Sequence, residues 1–416
     1  MGAVATTALS TRQKLERARA ASAQIAQLST EDKNRLLIQM ADAIESHSEA
    51  ILRANAEDVS ESNLSGAMLD RLLLTPVRIK HTADTVRDVA SLPDPVNTIL
   101  KEWTRPNGLL IRKVRVPLGV VGIVYESRPN VTVDAATLAL KAGNAVILRG
   151  GKEAAHSNQV LCEIMNAISG MPAGAIELLD SSTRDSVQEL MRARGLVDVL
   201  IPRGGPELIS HVVENATVPV IETGAGNCHI FVDESADLEM AGRIVMNAKI
   251  QRPSVCNAAE KLLIHARVAS TFVPKIVAQL LDAEVEVRGD QQACELAPSV
   301  KLATEEDWGE EYLRLCIAVR IVSGLDEAIE HINRYSTKHS EAIITSHEAN
   351  ASKFLRRVDS AAVYWNASTR FTDGGEFGFG AEMGVSTQRL HCRGPFALKE
   401  LTSSKYEVIG TGQVRD

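Results

Sequence analysis

At about 150 residues per domain, the 416 residues form two to three domains. Apolar residues at 45% and charged residues at 24% are an ordinary globular balance that excludes extensive disorder, and aromatics at 4% leave the core to Leu, Ile, Val and Ala. The net charge of −8 is the wrong sign for a nucleic-acid or anionic-membrane partner, and no apolar run approaches the ~18 residues of a membrane helix.

In chain order, Ser10 to Gln27, Thr30 to Ala54 and Leu69 to Leu92 carry apolar residues at three-to-four spacing and are expected as helices, with Thr30 and Asp32 marking the second start. Pro93-Asp94-Pro95 stops the run. Thr98 to Thr104 and Leu109 to Val116 flank Asn107-Gly108 and read as a hairpin. Alternation along Ile111 to Val116 predicts one buried and one wet face, and free edges that invite pairing with another chain. From Gly119 the pattern becomes strand–helix alternation. Val120–Tyr125, Ala145–Leu148, Ile176–Leu179, Val197–Ile201 and Val218–Ile221 suit buried parallel strands. Between them, 131–141, 153–168, 185–194 and 206–215 suit helices. An open parallel sheet follows, with ligand sites beyond its strand C-termini. Further strands are expected near Glu260–His265, Ala318–Val322 and Ala342–Thr345, then a glycine-rich segment from Gly374 to Gly384.

Six cysteines show no CxxC and no zinc-ligand spacing, so no metal site is expected. The first ten residues lack a signal-peptide pattern, and the thiols read as reduced in a cytoplasmic protein. Five cysteines sit in apolar or helical surroundings and suit small core positions. Cys256 differs: Pro253 ends the preceding helix, and a new helix starting at Cys256, beside Arg252, would lower the thiol pKa and make it a nucleophile. A buried loop cysteine is the plain alternative. Gly150-Gly151-Lys152 follows a strand and precedes a helix, where a cation suits a nucleotide phosphate or ribose, or is merely solvated. Glu222 and Asn130 each end an expected strand, as site residues, helix caps or turn residues. Gly224-Ala225-Gly226 and Gly378-Phe379-Gly380 are only fragments of a dinucleotide fingerprint.

Together these residues resemble a family. Val116 to Ile123, Ser127-Arg128-Pro129-Asn130 and Lys141 to Gly151 are similar to the aldehyde dehydrogenase superfamily. The Cys256 segment, Ile221 to His229, Ala328 to Glu341 and Gly374 to Pro395 resemble its gamma-glutamyl phosphate reductase branch. The resemblance spans nearly the whole chain. It implies an α/β, aldehyde dehydrogenase-like fold with a Rossmann-like NADP-binding domain (1–96 and 117–225), an α/β catalytic domain (226–399) and a small β oligomerisation element (97–116 and 400–416). It also implies NADPH-dependent reduction of glutamyl 5-phosphate to glutamate 5-semialdehyde in proline biosynthesis, a homo-oligomer, and glutamate 5-kinase as functional partner. Residue by residue, Cys256 matches the nucleophile and Asn130 the oxyanion-hole amide. Glu222 matches the glutamate that activates water in hydrolytic relatives; a reductase would use it for proton handling or thiol activation. Arg149 and Lys152 fall at the adenosine ribose and its 2′-substituent, Gly204-Gly205 beside the pyrophosphate, and Glu311 at the nicotinamide ribose. At the last, Leu313-Arg314-Leu315 replaces the usual aromatic-glycine-proline. For the substrate's amino-acid end the candidates are Arg128, Arg252, Arg389, Arg393 and the backbone around Gly384 and Ser386.

Overall fold

The structure, a computed structural model, describes residues 9–415, so the first eight residues of segment 1–96 and the last of 400–416 lie outside it. The chain divides into two compact units, residues 1–222, 378–384 and 396–416 in one and 223–377 and 385–395 in the other. The division leaves 378–384 and 396–399 with the first unit, whereas the sequence reading placed them in the catalytic segment.

The first unit begins with helices α1 (Thr11–Ile25), α2 (Thr30–Ser46), α3 (Ser48–Glu61), α4 (Gly66–Leu72) and α5 (Pro76–Ser91). In α1, Leu15, Ala18, Ala21 and Ile25 form the buried stripe, and Ser10 with Gln13 makes a capping box. The cap of α2 is Ser29, one residue before the expected Thr30. Two expected single helices are each broken: His47 leaves the helical conformation between α2 and α3, and Thr75 with Pro76 restarts the chain as α5.

The hairpin forms as β1 (Ile99–Thr104) and β2 (Leu110–Pro117), and the C-terminal strand Thr402–Ile409 pairs antiparallel along β2. The expected alternation is absent. Only Val114 of β2 is buried, because this three-stranded sheet leaves Ile99, Leu100, Tyr406 and Val408 exposed.

A parallel sheet follows in the order β5-β4-β3-β6, made of β3 (Val120–Tyr125), β4 (Ala145–Arg149), β5 (Ile176–Leu178) and β6 (Val199–Arg203). Helices α6 (Pro129–Lys141), α7 (Ala155–Asn166), α8 (Asp185–Met191) and α9 (Pro206–Asn215) connect its strands and extend beyond β6. The expected strand Val218–Ile221 does not form. Only a Leu200–Val220 bridge exists, since Pro219 has no N–H to extend a ladder.

The second unit is built on seven parallel strands in the order β10-β9-β11-β8-β7-β12-β13. These are β7 (Cys228–Val232), β8 (Ala259–His265), β9 (Glu286–Gly289), β10 (Lys301–Leu302), β11 (Cys316–Val322), β12 (Ser340–Ile344) and β13 (Ala362–Trp365). The connecting helices are α10 (Leu238–Ile250), α11 (Ala266–Asp282), α12 (Gln291–Leu296), α13 (Leu325–Tyr335) and α14 (Glu348–Arg357). Strands β14 (Gly384–Ser386) and β15 (Gly394–Phe396) lie where the chain crosses between units, and Thr402–Ile409 is β16.

Ile230, Leu262, Ile317, Val245, Phe272 and Ile276 form the dry part of the second unit's core. Its other part is polar. His229, Glu260, Lys261, Ser340 and Glu341 are all buried at the N-terminal ends of β7, β8 and β12. Such burial is tolerated only with partners, and Lys249 pairs with Glu260 at 2.8 Å while the His229 backbone N–H donates to Glu341 at 2.7 Å. Burial pushes the Glu341 carboxyl up to about 8, above its ordinary 4.5. Glu341 therefore stabilises the fold fully below the ordinary value, and its contribution is lost as pH rises toward about 8. Glu341→Gln, a neutral isostere, is expected to flatten that decline. Thermal unfolding at pH 5 and pH 8 checks this: the variant should gain on the parent at the higher pH, and equal loss in both would contradict the assignment.

Candidate active site

In the second unit, Cys256 lies half-buried in a turn between α10 and β8. The expected helix does not start there. The Ala258 N–H closes a turn onto the Val255 carbonyl, and the chain enters β8 at Ala259. A helix N-terminus therefore gives this thiol no help, and its setting comes from neighbouring segments.

The Cys228 thiol donates to the Cys256 carbonyl at 3.1 Å, and desolvation raises the Cys228 pKa, keeping it protonated as a donor. Gly226 presses on the same carbonyl: a Cβ there would stand 1.4 Å from the Cys256 oxygen. Gly226 is itself fixed, its N–H donating to Glu311 Oε1 at 2.6 Å. Next to it, the Asn227 N–H donates to Thr337 Oγ1, and its side-chain amide donates to the Trp308 and Tyr335 carbonyls. On the far side of the nucleophile, the Asn257 amide donates to the Thr372 carbonyl, and Thr369 Oγ1 donates to the Asn257 carbonyl. The Arg370 guanidinium donates to Asn257 Oδ1 and, at 3.0 Å, to Gln251 Oε1. Cys256 is thus held from both flanks. Arg252 lies exposed in the same turn.

Glu311, expected at a ribose, has a carboxylate oxygen engaged by Gly226. Ser386 is buried, with its neighbour Thr387 against Gly224. Arg389 and Arg393 both pair with Asp359, joined by Lys338 at 3.2 Å, and these cations hold the Asp359 carboxyl well below the usual range.

In the first unit Arg149, Lys152, Gly204 and Gly205 lie at or just beyond the C-terminal ends of β4 and β6, the two strands that flank β3. Arg149 ends β4 and donates to the Gly150 and Thr183 carbonyls; Lys152 follows, exposed and without an ion pair among the described residues. Gly204-Gly205 follows β6, and the Gly205 N–H donates to Glu126 Oε1 at 3.0 Å. A Cβ at Gly204 would stand 2.6 Å from the Glu126 carboxyl carbon, so a side chain there would displace the Glu126 carboxylate. Since Pro206 has no N–H, Glu126 occupies the first donor that α9 offers an anion. Sequence reasoning missed Glu126, although it directly follows β3.

Arg128 and Asn130 lie in the turn into α6; Asn130 is its second residue and does not end a strand. The Asn130 amide donates to Asp134 Oδ2 at 3.1 Å, and burial pushes the Asp134 carboxyl up to about 6. The i, i+4 spacing was the available signal for this pair. Glu222 is half-buried after the proline-interrupted segment, again not ending a strand, and Gly384 begins β14 within the first unit.

The profile of the aldehyde dehydrogenase family matches residues 3–314. Gamma-glutamyl phosphate reductase from Koribacter versatilis is 66% identical, covering 98% of this chain and 100% of its own. The reductase of the same name from Caldanaerobacter subterraneus is 56% identical over 97% of this chain and 99% of its own. The crystal structure of gamma-glutamyl phosphate reductase from Thermotoga maritima superposes with a TM-score of 0.95 at 48% identity, over 98% of this chain and 100% of that one. An acetylating aldehyde dehydrogenase from Geobacillus thermoglucosidasius, 19% identical with a TM-score of 0.71, shares the fold. The chain belongs to the aldehyde dehydrogenase family, and within it to the gamma-glutamyl phosphate reductases.

Proposed function

We propose that this chain reduces L-glutamyl 5-phosphate to L-glutamate 5-semialdehyde with NADPH and releases inorganic phosphate, as the second step of proline biosynthesis from glutamate. The observation carrying this reading is the Cys256 turn, a half-buried thiol on a backbone fixed from both flanks, in a chain of this family. An acyl phosphate is already activated, so a thiolate displaces phosphate with neither metal nor ATP. Cys256 Sγ attacks C5 and the carbonyl electron pair moves to oxygen. That pair returns as the C–O bond to phosphate breaks, and phosphate leaves with the bond's electrons. A glutamyl thioester remains.

We assign the transient oxyanion to the Cys256 backbone N–H and the Asn130 amide; one such donor is worth ~3 kcal/mol of barrier. Asn130 would exchange its Asp134 acceptor for the oxyanion. Glu222 is assigned to proton handling, and Glu311 to fixing Gly226. NADPH, when bound, supplies the hydride that takes the thioester to the aldehyde, the C–S electron pair returning to Cys256. Arg149 and the exposed Lys152 would hold its ribose and 2′-phosphate, and Gly204-Gly205 would lie beside its pyrophosphate. The donor set fits: Lys152, exposed and without an ion pair among the described residues, supports a contact to the 2′-phosphate. Arg128 and the backbone N–H groups of Gly384 and Ser386 are assigned to the substrate's α-carboxylate end.

We also propose a cytoplasmic homo-oligomer supplied by a glutamate 5-kinase. No helix among the described residues is long and apolar enough to cross a membrane, and the exposed Leu100, Tyr406 and Val408 suit the three-stranded sheet for contact with another copy.

Run in reverse, the thioester must be released to phosphate. Oxidation of glutamate 5-semialdehyde with NADP should therefore require phosphate or arsenate, whereas a hydrolytic aldehyde dehydrogenase would turn over in phosphate-free buffer. Equal steady-state rates with and without phosphate would overturn the reading. For cofactor choice, Lys152→Ala should raise KM for NADPH about tenfold and leave that for NADH little changed, as expected for one charge-assisted contact. Equal effects on both would show that Lys152 does not read the 2′-phosphate.

A further inference from the structure

Arg370 has no part in the catalytic steps, and it forms no ion pair among the described residues. It follows β13 in a short helical turn, Thr369–Phe371, and its guanidinium donates to Gln251 Oε1 and Asn257 Oδ1. Both acceptors are neutral amides. No carboxylate forms an ion pair with Arg370 or Arg252 among the described residues, yet Arg252, Asp373 and Cys256 all lie close enough to act on Arg370 electrostatically. Burial and the second guanidinium both disfavour its charge. Arg370 has only neutral amides as hydrogen-bond partners, and Asp373, which forms no ion pair with it, is a single negative charge against two guanidinium groups beside the nucleophile; an anion completes the balance.

The Lys338, Arg389 and Arg393 cluster is less suited to this task, because its charge is already partly neutralised by Asp359.

We propose that Arg370, assisted by Arg252, forms the phosphate subsite of the reaction, gripping the acyl phosphate and then the departing phosphate beside Cys256. This rests on the reductase reading. The phosphorus is bound through one oxygen to the carbon that Cys256 attacks, so a cation next to this nucleophile meets the phosphate first. The α-carboxylate lies four carbon–carbon bonds further on, about 5 Å away in an extended chain. As the C–O bond breaks, negative charge accumulates on the phosphate, and a guanidinium fork answers it with paired N–H donors. The assignment moves Arg252 from the carboxylate end of the substrate, where the sequence placed it among several arginines, to the phosphate end.

The test runs in the oxidative direction, comparing KM for inorganic phosphate with KM for glutamate 5-semialdehyde in Arg370→Gln, Arg370→Lys and Arg252→Gln. Arg370→Gln should raise KM for phosphate about tenfold more than KM for the semialdehyde, with Arg370→Lys between it and the parent. Arg252→Gln should move KM for phosphate in the same direction by a smaller factor. Arg370 also steadies Asn257, and a merely structural role would lower kcat and move both KM values together. Among the described residues Arg252 makes no hydrogen bond that its loss could disturb, so it decides the case if Arg370→Gln is inactive. Unchanged KM for phosphate in the active variants, or parallel shifts in both KM values, would overturn the subsite. A parent enzyme that needs no phosphate would instead overturn the reductase reading.

Discussion

Cys256→Ala is expected to abolish turnover, with a loss on the order of 10⁴-fold or more, while leaving the fold and nucleotide binding intact. No other thiol can replace it. Cys162, Cys228, Cys316 and Cys392 are buried, and desolvation raises the pKa of the first three. Cys294 is half-buried, lies in α12 and is also shifted upward by burial. Cys228 is adjacent, but its thiol is committed as a donor to the Cys256 carbonyl. Because Cys256 is only half-buried in a turn, losing its sulfur should change stability by less than about 1 kcal/mol. The checks are kcat in the reductive direction, a thermal melt and NADPH titration. Residual activity well above background in a folded variant would contradict covalent catalysis.

Gly226→Ala should have the next largest effect, without touching a reacting group. A Cβ at this position would be 1.4 Å from the Cys256 carbonyl oxygen and 2.7 Å from its Cα, so one backbone must retreat. Gly226 is pinned by Glu311, and Asn227 behind it by Thr337, Trp308 and Tyr335. The Cys256 turn is held as well, so neither side relaxes freely and the clash displaces the nucleophile's backbone at least in part. A displacement near 1 Å at a nucleophile costs about 10²-fold in rate, and forced overpacking costs about 1–3 kcal/mol of stability. Reduced kcat together with a lowered Tm is expected. Parental kcat in Gly226→Ala would show that the nucleophile's position does not depend on this contact.

Several features were legible in the sequence for clear physical reasons. Short β-branched runs became β3, β4 and β11, because strands buried on both faces need largely apolar sequence. The exceptions are where polar residues were buried or rigid ones intervened. Pro219 reduced an apolar run to one bridge, and His47 split a stretch whose periodicity looked continuous. Cys256 was found by its residue type and family motif, but its expected helix was not, since Val255 to Ala258 turns directly into β8. Arg370 gave no local signal, and Glu311 was picked out only by the family resemblance, which did not indicate its bond to Gly226. Each acts on Cys256 through a partner more than 80 positions away, Asn257 for one and Gly226 for the other, and only the fold joins those segments. Glu126 was similarly silent, because its importance comes from the glycine turn after β6.

The central claim is that Cys256 carries a glutamyl thioester whose acceptor is phosphate. The most direct measurement is intact-mass analysis of the enzyme incubated with glutamate 5-semialdehyde and NADP in phosphate-free buffer, with peptide mapping of the adduct. One glutamyl group per chain, mapped to Cys256 and discharged on addition of phosphate, is the expected result. No adduct despite NADPH formation, an adduct on another residue, or an adduct that discharges equally fast without phosphate would contradict it.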